Sequence, residues 1–287
     1  QRPEIFGKHD GMRTFLFYAM DDISCPWQTK ALAGRKYLFD WGINLFTYAT
    51  DRSPLRAKLA KRLPDEEDRY TDPVKAGGKK NLSVVRIKYD DPGWLTNRNY
   101  GCWDRVKTYA AEKAKVTLTV NEEGTAPADL GEADVAYLTG PGAIPLAADQ
   151  QQALKAYLEN GGFLWAEASC GSPAFVGAFR KLVLEMGLKF KRIPQTEPIL
   201  NGRFDGDAKG YSLISGVGFK RSLRVSRLGQ NHADLMGIYQ GDKLVGVFSM
   251  FDILFSTTGY NAYGCRGYKP QDAKAVATNI LLHLSQR

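Results

Sequence analysis

From position 81 onward the sequence predicts an α/β domain, a doubly wound and mostly parallel sheet flanked by helices, and three observations predict it. Strand-like runs alternate with helical segments of about 10–15 residues, the pattern of strand–helix–strand units joined by right-handed crossovers. The run Phe163–Ala168 reads as a strand buried on both faces, as central parallel strands are. Glycines punctuate the pattern: Gly140-Pro141-Gly142 closes one strand, and Gly161-Gly162 stops a helix with a left-handed cap.

The elements follow in order. Leu82–Tyr89 is a strand of β-branched and apolar residues, and Cys102–Ala114 has helical spacing through Val106, Tyr109 and Ala110. Val116–Val120 and Val135–Thr139 are short strands, and Ala148–Glu159 is a helix. Phe163–Ala168 leads into a helix over Ser172–Met186, then a strand over Leu188–Lys191. The stretch 192–242 is rich in Gly and Asn and weakly periodic, so it reads as loops and short strands. Leu235–Tyr239 and Leu244–Met250 flank Gln240-Gly241-Asp242 as a hairpin, and Pro270–Leu284 is the last helix.

The first 63 residues carry an echo of the end. Arg13–Met20 followed by Asp21-Asp22-Ile23 parallels Lys243–Met250 followed by Phe251-Asp252-Ile253. Each strand-like run precedes an amphipathic helix, centred on Asn44-Leu45-Phe46 in one case and Asn279-Ile280-Leu281 in the other. Residues 1–63 therefore read as a strand–helix extension, either the tail of a preceding similar domain or a strand and helix padding the edge of the complete one. Residues 64–80, charged and bearing Gly and Pro, read as a linker, and 81–287 as the domain itself. The first residue is Gln, which suggests a processed form or a fragment.

With 44% hydrophobic and 24% charged residues, 287 residues can bury a substantial core without disulfide staples. No apolar run is long enough to cross a bilayer. The net charge of +8 invites an anionic partner, but Lys75–Lys79–Lys80, Lys189–Lys191–Arg192 and Lys220–Arg221–Arg224–Arg227 match no nucleic-acid motif. A solvated basic surface is the reading kept, and nucleic acid is disfavoured as a partner. Cys25, Cys102, Cys170 and Cys265 show no CxxC spacing, and their disulfide state stays open. Compartment stays open as well, with export slightly favoured over the cytoplasm.

Ligands of an open parallel sheet bind beyond the C-terminal ends of its strands. Converging there are Asp90, Asp91 and Trp94, then Gly140 and Gly142, then Ser169, Cys170 and Gly171, then Met250 and Asp252. Asp90, Asp91 and Asp252 would make an acidic cluster. Trp94, Tyr100, Trp103, Tyr260, Tyr263 and Tyr268 lie at the same edge, either as faces for a sugar or peptide or as loop packing. Cys102, Cys170 and Cys265 also fall there and would pair or gather a metal; without histidine partners no metal or cofactor is assigned.

The series Tyr137-Leu-Thr-Gly140-Pro-Gly142 and Gly161-Gly-Phe-Leu-Trp-Ala-Glu-Ala-Ser-Cys170-Gly171-Ser172 resembles the core of class I glutamine amidotransferases. Asp91-Pro-Gly-Trp94, Ala174-Phe175, Phe179-Arg180 and Pro198-Ile199 add a closer resemblance, to the bacterial family catalogued as domain of unknown function 4159. The resemblance spans 81–287 and implies a flavodoxin-like sheet. It also implies a glycine turn that supplies an oxyanion hole and an elbow that carries the nucleophilic Cys170. Where those enzymes carry their base as His-x-Glu, this chain has Met250-Phe251-Asp252, and methionine accepts no proton. His232 is the one loop histidine within the domain and a weak substitute; His9 and His283 lie in the N-terminal segment and the last helix.

The expected function is a non-catalytic amidotransferase-like binding or scaffold domain, a pseudoenzyme whose ligand would be a small molecule, a glycan or a protein. A homo-oligomer is compatible with it. Alternatives are a cysteine-dependent hydrolase or transferase using Cys170, and a carbohydrate-binding domain of an exported protein.

Overall fold

The structure is a computed structural model that describes residues 4–9, 14–50, 70, 73–75, 77–260, 262 and 264–287. Its elements in chain order are β1 (Ile5–His9), β2 (Thr14–Ala19), α1 (Ser24–Gln28), α2 (Lys36–Thr50), β3 (Asn81–Ile87), α3 (Cys102–Tyr109), β4 (Thr117–Thr125) and β5 (Val135–Gly140). They continue with α4 (Ala148–Glu159), β6 (Phe163–Ala168), α5 (Pro173–Glu185), β7 (Lys189–Arg192), α6 (Pro198–Asn201), α7 (Arg221–Ser226), β8 (Leu235–Gln240), β9 (Lys243–Ser249), α8 (Leu254–Thr257) and α9 (Pro270–Ser285).

Seven strands form one sheet in the order β4-β3-β5-β6-β9-β8-β7. The five from β4 to β9 are mutually parallel, while β8 and β7 are antiparallel additions beyond β9. The domain is therefore α/β with a mostly parallel sheet, as the alternation of elements predicted. Every residue of β5 and β6 is buried, and successive side chains serve opposite faces. Val135, Tyr137, Phe163 and Trp165 enter the core shared with α3 and α9; Ala136, Leu138, Leu164 and Ala166 enter the core shared with α4 and α5. Two cores, one on each face, make the sheet doubly wound.

The hairpin β8–β9 turns at Gly241-Asp242, with Gln240 opposite Lys243. The expected Cys102–Ala114 helix is α3 finished by a π-helical turn over Ala110–Ala114, and the strand expected at Val116–Val120 runs on to Thr125. Within 192–242 the helices α6 and α7 were not anticipated. Of the two, α6 belongs to a layer over α9, a helix buried almost all round rather than on one stripe. Asn279 fixes this layer, accepting from Tyr211 N at 2.9 Å and donating to Ile199 O at 2.8 Å and Tyr211 O at 2.7 Å. No helix among the described residues is long and apolar enough to cross a membrane.

Of the expected linker, residues 64–69, 71, 72 and 76 lie outside the described residues. The described remainder is docked rather than loose. Tyr70 is buried, donates to Asp272 Oδ1 at 2.7 Å and meets the Tyr211 ring edge-on. Lys75 pairs its backbone with Lys209, and Lys79 N donates to Ser285 O at 2.7 Å.

β2 does not join the large sheet. It pairs antiparallel with β1 in a two-stranded sheet. The parallel with the chain's end extends to local structure: Asp22 Oδ1 accepts from Ser24 N and Cys25 N, as Asp252 Oδ1 accepts from Ser256 N. Burial is reversed. Tyr18 is 59% and Phe46 47% exposed, whereas Phe248 and Leu281 at the corresponding places are fully buried. Asn44 is exposed where Asn279 is a buried hub. Deleting residues 1–63 is expected to change the domain's urea unfolding free energy by less than about 0.5 kcal/mol, the range of surface changes. It should also reduce the binding of a hydrophobic dye; a clear drop in the unfolding midpoint would show instead that the extension stabilises the domain.

Candidate functional site

The strand–turn–helix elbow after β6 is the best-formed feature at the C-terminal edge. β6 ends at Ala168, a 3-10 turn spans Ser169–Gly171, and Ser172 caps α5 by accepting from Phe175 N. Cys170 sits in the left-handed region (φ 48°, ψ 24°), followed by Gly171 with φ 65°. An added Cβ at Gly171 would meet Arg266 O at 2.6 Å, so glycine is required there on two grounds. The elbow is tied to its neighbours: Cys170 N donates to Asp252 Oδ2 at 3.0 Å, and Arg266 N donates to Cys170 O at 3.0 Å. Ser172 Oγ donates to Pro141 O at 2.6 Å and joins the elbow to the glycine turn.

The expected residues divide into two groups. Ser169, Cys170, Gly171 and Asp252 come together, with Met250 half-buried beside them and its sulfur 3.8 Å from an Arg180 nitrogen. Asp90 and Asp91 do not join Asp252 in an acidic cluster. Both are exposed, and Asp91 accepts from Gly93 N at 2.7 Å to cap a 3-10 turn, whereas Asp252 is fully buried. The glycine turn is occupied from within: Tyr89 donates to Thr139 O at 3.0 Å, and its hydroxyl lies 2.1 Å from where a Gly140 Cβ would stand. Gly142 has open space around it.

The aromatic edge is largely core. Trp103 and Tyr268 are fully buried, and Trp94 is 9% exposed. Tyr100 packs edge-on against Phe255, and Tyr260 is half-buried. Tyr263 lies outside the described residues. Buried rings offer no stacking face to a sugar, so Trp94, Trp103 and Tyr268 read as loop packing.

His232 is exposed and lines a cavity of about 210 Å³ together with Arg192 and Asp234. Among the described residues, Cys265, Asp252 and Lys220 act on the Cys170 thiol. His283 packs its ring on Phe163, and burial lowers it to about 4.

Glu167 is the central residue that the sequence reading missed. It is the one charged side chain in Phe163-Leu-Trp-Ala-Glu-Ala168, and a carboxylate inside a fully buried strand was the available signal. It accepts from Tyr137 Oη at 2.7 Å, Ile253 N at 2.8 Å and Leu254 N at 3.1 Å. Burial first, then the neighbouring Asp252 charge, push Glu167 up to about 8. Burial also raises Asp252, opposed first by the cation of Lys220, itself only 4% exposed. Burial favours the protonated form of both carboxyls, which titrate as a pair.

The four cysteines stand as thiols. Cys102 leaves the expected group: its sulfur donates to Asn97 O at 3.4 Å inside the core. Asp252 takes its place, so that Cys170 Sγ, Cys265 Sγ and an Asp252 oxygen lie within 4.8 Å of one another. A hydrogen bond with Cys265, then burial, hold the Cys170 thiol well above its ordinary range. The arrangement can bind a soft cation or order two loops.

A family model described as domain of unknown function (DUF4159) matches residues 83–284, and the chain belongs to that family. No curated protein and no solved structure matches it.

Two outcomes follow from the geometry. Cys170→Val, which places a branched side chain at positive φ, is expected to destabilise the fold by about 2 kcal/mol more than Cys170→Ala. Equal losses in denaturant unfolding would remove the backbone account. Because folded Glu167 retains a proton that the unfolded side chain releases near 4.5, its contribution to stability is full below that pH. It is lost as pH rises through about 8. Wild-type stability should therefore fall progressively between about pH 4.5 and 8 and level off above, and Glu167→Gln should flatten that slope in urea titrations.

Proposed function

We propose that this member of the DUF4159 family is a non-catalytic, amidotransferase-like binding or scaffold domain. The parallel strands run β4-β3-β5-β6-β9, second-first-third-fourth-fifth in chain order, which is the flavodoxin-like arrangement and supports the likeness to amidotransferases. The observation that carries the reading is the fate of the acid two places after Met250. Asp252 is fully buried and directs its oxygens at Cys170 N, Ser256 N and Ser256 Oγ. An acid committed to loop amides is a structural tie, not the orienter of a catalytic base. Tyr89 at Gly140 also supports the reading, since its hydroxyl occupies the flank of the turn that an oxyanion hole would use.

Residues 1–63 fit the tail of a preceding copy of this fold. The exposed Tyr18, Ile43 and Phe46 are faces that such a copy would cover with its own remaining strands.

Iodoacetamide labelling tests the non-catalytic reading. Cys25 is exposed and serves as the internal standard. Cys170 should react at least about tenfold more slowly than Cys25 between pH 6 and 8, as a thiol held above its ordinary range does. Faster reaction at Cys170, with a midpoint below neutrality, would establish an activated nucleophile and overturn the proposal.

A further inference from the structure

We propose that Cys170, Cys265 and Asp252 form a binding site for one soft divalent cation of the zinc class. This goes beyond the scaffold reading and does not depend on it. The two sulfurs and a carboxylate oxygen lie within 4.8 Å of one another, and they come from three separate segments: the elbow, the end of β9 and the loop before α9. Around a tetrahedral zinc with bonds of about 2.0–2.3 Å, ligand atoms stand about 3.5–3.8 Å apart. Small side-chain rotations would close the group onto an ion.

The surroundings are those of a metal centre in three respects. First, the ligands are held in place by bonds that leave ligand lone pairs available. Oδ1 of Asp252 accepts from Ser256 N at 3.0 Å and Ser256 Oγ at 3.3 Å, while Oδ2 accepts only from Cys170 N at 3.0 Å among the described residues, so Oδ2 keeps a second lone pair for an ion. Second, Arg266 N donates to Cys170 O, which ties the segment carrying one thiol to the segment carrying the other.

Third, the charges close. Two thiolates, one carboxylate and a divalent cation sum to minus one, and the buried Lys220 ammonium, which acts on both Cys170 and Asp252, brings the group to neutrality. Lys220 otherwise has the Phe255 ring at 4.8 Å and the Tyr260 carbonyl at 3.3 Å, neither of which is a counter-charge. Two thiolates select zinc, cadmium or cobalt over magnesium or calcium. Binding releases one proton from each thiol as the two metal–sulfur bonds form, so uptake strengthens with pH.

The test uses the full chain, reduced, stripped with a chelator and titrated anaerobically with cobalt(II). One equivalent should bind, with a thiolate-to-cobalt charge-transfer band in the near ultraviolet that zinc(II) bleaches and magnesium(II) leaves untouched. Cys170→Ser and Cys265→Ser should each abolish the band, and Asp252→Asn should weaken affinity about 10–100-fold. Cys25→Ser and Cys102→Ser should leave the band in place, and circular dichroism verifies that each variant is folded. Absence of the band in the reduced wild type overturns the proposal, as does its persistence in folded Cys170→Ser. Recovery of a Cys170–Cys265 disulfide from protein purified without reductant, together with no cobalt uptake after reduction, would assign the pair to a cross-link instead.

Discussion

Two acids buried at the same edge of the sheet, Glu167 at the end of β6 and Asp252 just past β9, hold together everything that gathers there. Each faces backbone N–H groups of the other strand's loop: Glu167 takes Ile253 N and Leu254 N, and Asp252 takes Cys170 N. The bonds cross, so the loop after β6 cannot move without the loop after β9. Ionised buried carboxylates would be costly in this interior, and several charge-assisted bonds to amides are what make the pair tolerable. Tyr137 beneath and Lys220 beside complete the compensation. The elbow, the short helix α8 and the segment up to Tyr268 are parts of one interlocked unit.

That interlock explains which parts of the domain were legible in its residues. Strands and helices of the doubly wound core follow from patterns within a few residues of each other, such as Phe163–Ala168 and Ala148–Glu159, whose observed bounds match the expected ones. The layer formed by α6 and the segment at Tyr211 was not legible because its structure is imposed from a distance. Asn279, a helical residue like any other in the sequence, organises backbone at Ile199 and Tyr211. The site was legible by half. Position along the chain places Cys170 and Asp252 at strand ends, but only the fold shows that Asp90 and Asp91 point to water and that Cys265 comes to the elbow. Glu167 carried a signal, a lone charge in a strand otherwise apolar, that secondary-structure patterning passes over.

The N-terminal unit makes the same point from the other side. A strand, an aspartate cap, a short helix and a longer helix occur at both ends with related residues, yet Asn44 lies exposed where Asn279 is an organising hub. Local structure is thus encoded locally, whereas burial depends on which neighbours are present. Tyr18 and Phe46 are the kind of residue that a sheet and its flanking helices normally cover.

The left-handed backbone at Cys170 is the conformation of a catalytic elbow, yet the fold around it is enough to hold it. A non-glycine residue in that region costs about 1–2 kcal/mol. Bonds to Asp252 and Arg266, at about 1 kcal/mol net each, together with the close fit of Gly171 against Arg266, offset that cost within the fold. The conformation therefore persists without any reaction to explain it. What it does achieve is directional: it presents the Cys170 sulfur to Cys265 and Asp252, not to a base. A thiol aimed at a second thiol and a carboxylate has the chemistry of a ligand, and the left-handed backbone at Cys170 is what turns its sulfur that way.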